Sequence, residues 1–305
     1  MSENILGAFM EEELVSQPVV WQRAVEQARS EDLLPADGKR IAVIGCGTSW
    51  FMAQSYAAAR ESAGKGVTDA FAASEAFLNS NSADRQYDAV VAITRSGTTT
   101  EVLEILAALK GIVPTVAIIG DTTSPIIELA DTVIGLQYAD ERSVVQTRFA
   151  TTALVYMLTS LDIDVQQAIA DARDAVSAPV PQELLDAEQF TFLGTGWTVG
   201  LAHEAGLKMR EAVQGWTESY PAMEYRHGPI SIAAPGRVTW LFGTQPEGLD
   251  QDMAATGALY LHTDKHPLAE LARVHKVTLE RARVRGLNPD LPRNLTRSVI
   301  LDASA

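Results

Sequence analysis

The chain has 305 residues, 47% hydrophobic and 21% charged, a balance that fits one large or two ordinary globular domains and excludes a long disordered polymer. Its formal net charge of −15 argues against general affinity for nucleic acid or anionic membranes, yet leaves room for a small phosphorylated ligand held by a local cluster of donors. The single cysteine, Cys46, excludes an intrachain disulfide and fits a reducing compartment. The start Met1-Ser2-Glu3-Asn4 is polar and acidic, and the apolar runs stop well short of the roughly 20 residues of a membrane helix, so a cytoplasmic protein is expected.

In chain order, Ile5, Phe9, Met10 and Leu14 recur at helical spacing, which predicts helix over residues 5–30 with a break at Pro18. Residues 39–45 read as a buried strand ending in Gly45, followed by the small-residue turn Gly45-Cys46-Gly47-Thr48-Ser49 and an alanine-rich helix from about Trp50 to Arg60. Residues 67–71 read as a short strand, and Ala73-Ser74-Glu75-Ala76-Phe77 as the opening of a helix. Strands follow at 88–93, 114–120 and 132–136, with helix starts after Thr100 and at Ser124-Pro125-Ile126 and a long helical pattern over 148–162. Strands alternating with helices, with consecutive apolar residues inside the strands, predict parallel sheets covered on both faces.

Residues 164–189 read as a charged helical connector containing Pro179 and Pro181. The alternation then restarts with Phe190 to Gly196, and Phe192-Leu193-Gly194-Thr195-Gly196 repeats the strand-Gly-x-Gly pattern of Val43 to Gly47. The chain is therefore expected to be α/β, with two similar three-layer α/β/α units of flavodoxin-like parallel sheets plus N-terminal helices. The expected boundaries are 1–30 for the helical segment, 31–163 for the first unit, 164–189 for the connector and 190–305 for the second unit.

The segment with most chemical content is Thr94-Arg95-Ser96-Gly97-Thr98-Thr99-Thr100-Glu101, placed between a strand and a helix. Free N–H groups of a first helical turn, the positive end of the helix dipole, several hydroxyls and a glycine together suit an anion. Ser and Thr are also ordinary helix caps, so the segment by itself reads either way. Ligands of open α/β sheets sit beyond the carboxyl ends of strands, which directs this turn and Gly47-Thr48-Ser49 toward one crevice. Neither turn has the spacing of a dinucleotide fingerprint or a Walker loop, so no nucleotide cofactor is indicated. The corresponding turn of the second unit, Thr244-Gln245-Pro246-Glu247-Gly248, lacks the hydroxyl cluster, so only the first unit is expected to hold phosphate.

These two turns, with Glu141 to Thr152, Leu207-Lys208-Met209-Arg210-Glu211, Glu224-Tyr225-Arg226-His227-Gly228-Pro229 and Pro292-Arg293-Asn294-Leu295, resemble the sugar isomerase (SIS) family across nearly the whole chain. The arrangement is similar to the tandem domains of the isomerase half of glucosamine-6-phosphate synthase and of stand-alone deaminases and fructosamine-6-phosphate deglycases. The resemblance assigns the substrate phosphate to Ser49, Thr94, Arg95, Ser96 and Thr99. Arg95 stands where the family often has Gln. It assigns sugar contact or support of the site to Gly47, Thr48, Val144, Gln146, Lys208, Glu224 and Arg297, and proton transfer to Glu211 and His227. In relatives the histidine reaches the site of a neighbouring subunit, which implies a homodimer.

Moving a proton between adjacent sugar carbons needs a base that can take and return it and an acid at an oxygen or nitrogen, roles suited to a carboxylate and an imidazole. His203, His262, His266 and His275 show no metal-site spacing and read as surface or structural, so no metal and no cofactor is expected. Arg297 occupies the place of a synthase tail lysine that forms a Schiff base, and a guanidinium is no imine-forming nucleophile. The tail is expected to close over the site without covalent capture, and glutamine-dependent ammonia transfer is not expected. The leading expectation is a deaminase or deglycase acting on amino or glycated hexose 6-phosphates, such as glucosamine 6-phosphate. A ketose/aldose phosphate isomerase without nitrogen loss and a non-catalytic phosphosugar sensor remain as alternatives.

Overall fold

The structure, a computed structural model, describes residues 5–76, 78 and 86–301. It divides into two compact units, each drawn from separate stretches of chain. One holds the chain up to Pro18, Arg142–Thr147 and Gln166–Leu295; the other holds Val19–Glu141, Arg148–Val165 and the chain from Thr296 onward. The connector segment thus groups with the later sheet and the tail with the earlier one, whereas the expected boundaries set residues 164–189 apart and placed the tail in the second unit. The physical reason is local: the tail exchanges hydrogen bonds with residues 95–100, and the first connector helix packs on the last helix of the chain.

The unit containing the earlier sheet has five parallel strands, β1 (Ile41–Gly45), β2 (Thr68–Ala72), β3 (Ala89–Thr94), β4 (Thr115–Ile119) and β5 (Thr132–Gly135), in the order β2-β1-β3-β4-β5. This is the flavodoxin-like order, whose direction of winding reverses between β1 and β3. Strands β1, β3 and β4 are buried along their full length, as continuous apolar runs demand when both faces are covered. Ala42, Ile44, Val90, Ala92, Ala117 and Ile119 turn one face toward Val102, Ile105, Leu106 and Leu109 of α3 (Thr100–Leu109). On the opposite face α2 (Thr48–Ser62) lies against β1 and packs on α4 (Arg148–Ser160).

The other unit has four parallel strands, β6 (Gln189–Gly194), β7 (Thr217–Pro221), β8 (Arg237–Phe242) and β9 (Leu259–Leu261), in the order β7-β6-β8-β9. Helix α7 (Thr198–Val213) covers β6, β7 and β8 and packs on α9 (Pro267–Val284). On the opposite face Leu193, Ala222, Tyr225 and Leu241 enclose Leu249 and Met253 of α8 (Leu249–Thr256). The connector forms α5 (Gln166–Ser177) and α6 (Gln182–Asp186), with Pro179 and Pro181 between them; α5 packs on α9, and its buried Asp171 accepts the backbone N–H of His266 at 2.9 Å. Both sheets are parallel and flanked by helices, as the sequence predicts.

Three local expectations are corrected. The N-terminal segment is a single helix, α1 (Ala8–Ser30), that continues through Pro18. A proline there forfeits one helical hydrogen bond, and the buried residues Met10, Leu14, Gln17, Trp21, Ala24 and Ala28, spaced three or four apart on both sides of it, keep one continuous face. The helix expected from Ala73 is one 3-10 turn, Ala73–Glu75, with Phe77 outside the described residues, and the one expected at Pro125 is the 3-10 turn Pro125–Glu128.

Gly97 is a position that its turn requires. Its φ is +62°, and a Cβ there would lie 2.0 Å from Ser124 Oγ. Gly111 has a similar φ of +74° with open space around it. Gly97→Ala should therefore cost about 3 kcal/mol in urea unfolding, against about 1 kcal/mol for Gly111→Ala, where only backbone strain acts.

Candidate active site

At the point where the winding of the five-stranded sheet reverses, the carboxyl ends of β1 and β3 carry the two hydroxyl-rich turns. Behind β1, a Cβ on Gly45 would stand 2.7 Å from the Ser49 backbone, so only glycine lets α2 start this close to the strand. Gly47 takes φ 53°, and Thr48 and Ser49 follow as the buried first residues of α2. Cys46 sits in this turn. Burial, with the Glu101 carboxylate adding to it, pushes its thiol up to about 11, so it is protonated near neutrality and no nucleophile there.

Behind β3, Thr94 Oγ1 accepts the Gly97 N–H at 3.3 Å and Ser96 Oγ accepts the Thr98 N–H at 3.3 Å. Arg95 is almost fully buried, and its carbonyl accepts the N–H groups of Gly120 and Asp121 at 3.1 and 3.0 Å, which ties the turn to the end of β4. Ser96, Thr98 and Thr99 direct their hydroxyls at one point, and that point is taken by Ser298 of the tail. Its Oγ lies 3.2, 3.0 and 3.5 Å from those three oxygens. The Thr100 N–H at the start of α3 donates to Val299 O at 3.3 Å, and Arg95 Nη2 donates to Arg297 O at 2.8 Å. The tail thus engages the hydroxyl and N–H donors that suit an anion. Beside it lies a cleft of about 370 Å³ lined by Ser96, Thr98, Asp121, Thr296, Arg297 and Ser298.

Arg297 does not hold its charge in reserve. Its guanidinium binds both carboxylate oxygens of Asp140, at 2.6 and 2.9 Å, and donates to the Glu141 carbonyl. Glu141, wholly buried, caps α4 by accepting the N–H groups of Arg148 and Phe149 at 2.7 and 3.1 Å. The motif from Glu141 onward is therefore in part a helix cap.

In the unit with four strands, the corresponding crevice closes on itself. Thr198 Oγ1 donates to Phe242 O at 2.7 Å, Thr195 Oγ1 donates to Thr244 O at 3.2 Å, and a Cβ on Gly243 would press on both threonines. The same unit contains Val144, Gln146, Lys208, Glu211, Glu224 and His227. Val144 donates its N–H to Asp290 O at 3.3 Å. The side-chain oxygen of Gln146 is withdrawn from solvent without a hydrogen-bond partner among the described residues, which is unusual for a buried acceptor.

Lys208, on α7, is fully buried and donates to Glu211 Oε2 in a short contact; its ammonium lies 3.6 Å from the equally buried Glu204. The pairs follow from helical spacing, since residues three and four positions away share a face. The Glu211 side chain is 20% exposed, whereas Lys208 and Glu204 are 0% exposed, so a fixed carboxylate emerges from a dry ion cluster. His275 of α9 sits behind it, with Nε2 3.9 Å from Glu204 Oε1. Gln17 Nε2 lies 3.3 Å from His275 Nδ1, and the amide can only donate there, which places the imidazole hydrogen on Nε2.

His227 and Glu224 end and begin the 3-10 turn Glu224–His227 and are both exposed. The turn is anchored by Tyr225, whose OH lies 3.2 Å from Thr239 Oγ1, and by Arg226, which donates to Asp252 and to Glu247 O. Among the described residues, no hydrogen bond joins His227 to Glu211. Sequence reasoning passed over Glu204, Gln17 and Ser298, and read His275 only as surface or structural. The i,i+4 spacing of Glu204 and Lys208 was the one readable signal; the others depend on remote parts of the chain. No group of three His, Cys, Asp or Glu side chains suited to a metal occurs among the described residues, and no helix among them is long and apolar enough to cross a membrane.

Residues 36–161 match the SIS domain family. The glutamine–fructose-6-phosphate aminotransferase (isomerizing) of Sulfurisphaera tokodaii is 25% identical over 96% of this chain and 56% of its own length. That of Yersinia pseudotuberculosis is 25% identical over 98% of this chain and 60% of its own. The chain thus spans less than two thirds of the length of these relatives. Among solved structures, glucosamine-6-phosphate deaminase from Thermotoga maritima superposes with a TM-score of 0.76 at 20% identity, covering 95% of this chain and 100% of that one. Tagatose-6-phosphate ketose/aldose isomerase from Escherichia coli does so with 0.77 at 18% identity, covering 98% of each.

The buried His275 has a measurable consequence. Burial, reinforced by the Lys208 charge, pushes its imidazole down to about 3 from the ordinary 6.5. Between those values the folded protein holds it neutral while the unfolded chain protonates it. The unfolded state then binds more protons, so stability is lost as pH falls below 6.5, by about 1.4 kcal/mol per pH unit from this group. His275→Gln should flatten the slope of denaturant-measured stability between pH 6.5 and 5. An unchanged slope would show that the imidazole protonates inside the fold.

Proposed function

We propose that this chain is a phosphosugar enzyme that moves a proton between adjacent carbons of an amino or glycated hexose 6-phosphate, with glucosamine 6-phosphate as the first substrate to test. The observation that carries the reading is Glu211, a half-withdrawn carboxylate held by a buried ammonium. Lys208 fixes its position, and Glu204 balances that ammonium on the dry side, so Glu211 can exchange a proton without reorienting. The phosphoryl group is assigned to Ser49, Thr94, Arg95, Ser96 and Thr99 with the first turn of α3. Arg95 adds a charge-assisted donor where the family often has a neutral one. Binding there displaces Ser298 from the hydroxyls it occupies. The unpartnered Gln146 oxygen is suited to accept from a sugar hydroxyl.

Glu211 takes the proton at one carbon and returns it at the next, which leaves an imine; water adds to the imine carbon, and His227 protonates the nitrogen as the C–N bond breaks, giving the carbonyl and the free amine. Arg297, paired with Asp140, orders the tail and forms no imine. The two sheets, with the same order over their first four strands, support descent from a duplicated unit, the hydroxyl cradle having been kept in one copy. The single cysteine and the acidic charge support a cytoplasmic setting.

Glu211→Gln should fold like the wild type and lose turnover by about 10²- to 10⁴-fold, measured as ammonia and ketose phosphate released from glucosamine 6-phosphate and as free amine and aldose phosphate released from fructosamine 6-phosphates. Wild-type-like rates would remove the mechanism, and turnover confined to nitrogen-free aldose and ketose phosphates would make the enzyme a simple isomerase. The exposure of His227, with no partner in its own chain among the described residues, supports a homodimer in which it serves the neighbouring subunit. Mixing inactive Glu211→Gln and His227→Ala chains should then restore up to about a quarter of the activity; no restoration after subunit exchange would place His227 in its own subunit's reaction.

A further inference from the structure

The N-terminal half of α1 buries two polar side chains one turn apart, Glu13 at 2% and Gln17 at 0% exposure. Gln17 reaches His275, as described above. Glu13 reaches residues 142–147. Its Oε1 accepts the N–H of Arg142 at 2.6 Å and that of Ser143 at 3.2 Å, and its Oε2 accepts the Ser143 hydroxyl in a short contact. A buried carboxylate needs such charge-assisted donors, and here two consecutive residues supply all three. The same segment is tied to α1 a second way. Val144 N–H donates to Asp290 O, and the Asp290 carboxylate accepts the N–H groups of Phe9 and Met10 at 3.0 and 2.9 Å at the start of the helix.

The consequence lies in which side chains face inward. Ser143, Val145 and Thr147 are buried at 0%, 1% and 0% exposure, whereas Val144 and Gln146 between them are only partly buried. Residues 142–145 form a bend in which buried and partly buried side chains alternate, and a shift of one residue would exchange the two sets. Glu13 fixes the register at its first two residues.

We propose that Glu13 is a positioning residue for sugar recognition, setting the register of residues 142–147 so that Val144 and Gln146 face the sugar. The proposal rests on the phosphosugar reading above. The carboxylate matters through its charge: an amide could keep a neutral oxygen on the N–H groups of Arg142 and Ser143 and turn its N–H₂ to the Ser143 hydroxyl, which has Val145 O as a second acceptor, so the change removes the charge assistance of the three bonds.

The test compares binding of glucosamine 6-phosphate with binding of inorganic phosphate, together with steady-state kinetics, in the full chain. Glu13→Gln should weaken glucosamine 6-phosphate binding and raise KM about tenfold, the loss expected for one charged hydrogen-bond set, with kcat within about twofold and inorganic phosphate affinity unchanged. Ser143→Ala, which removes one donor and leaves the carboxylate two, should give a smaller effect of the same kind and carries the test should Glu13→Gln fail to fold. Wild-type discrimination between the two ligands retained in a folded Glu13→Gln, or in Ser143→Ala where that variant carries the test, would overturn the proposal. A fall in kcat with KM unchanged would also overturn it. A wild type that binds glucosamine 6-phosphate no better than phosphate would instead overturn the phosphosugar reading on which the proposal rests.

Discussion

An ammonium group with no access to water cannot remain charged unless the fold brings negative charge to it, and Lys208 imposes that condition on the whole four-stranded unit. Two carboxylates on its own helix supply it: Glu204 one turn before and Glu211 just under one turn after. The cluster then constrains what packs behind it. His275 must stay neutral beside Lys208, and burial keeps it so. Its neutral ring in turn needs a donor for Nδ1, which Gln17 provides from a helix remote in sequence. What emerges toward solvent from this sequence of requirements is one carboxylate, Glu211, held in place by groups that have no freedom to rearrange.

The five-stranded unit answers to a different constraint, the geometry of a parallel sheet. Strands that run the same way end on the same edge, and reversal of winding between β1 and β3 leaves their two exit turns side by side. Gly45 and Gly97 let those turns fold tightly enough for the hydroxyls to converge. The corresponding edge of the other sheet has the same strand order but spends its threonine hydroxyls on backbone carbonyls of its own turns. A shared topology therefore offers the same location twice, and the side chains decide whether it stays open to an anion. In the five-stranded unit the tail meets the donors through Ser298, so binding of a ligand there and the position of the tail are linked.

Much of the fold was legible because its signals are local. Buried strands such as Ile41–Gly45 and Ala89–Thr94 announce themselves as apolar runs, and the glycines and hydroxyls that follow them mark the turns. The errors were also local. Pro18 reads as a break because the cost of proline is visible in the sequence, whereas the burial that outweighs it is not. Ala73 and Pro125 begin turns that look like helix starts, but each helical run ends after a single 3-10 turn. In the site, Lys208 and Glu211 could be paired from their spacing alone. Arg297 was expected to support the site from a closing tail, and its engagement with Asp140 depends on a contact 157 positions away.

The sequence by itself determined the α/β class, the location of the hydroxyl turns at strand ends and the helical pairing of Lys208 with its carboxylates, because each is set by residues within a few positions of one another. Only the tertiary structure decided that Glu13 holds residues 142–147, that Gln17 and His275 stand behind the ion cluster and that Ser298 meets the hydroxyls after β3. Those choices are made by burial and by hydrogen bonds that must be satisfied across hundreds of residues, and such requirements leave no pattern in the neighbouring sequence.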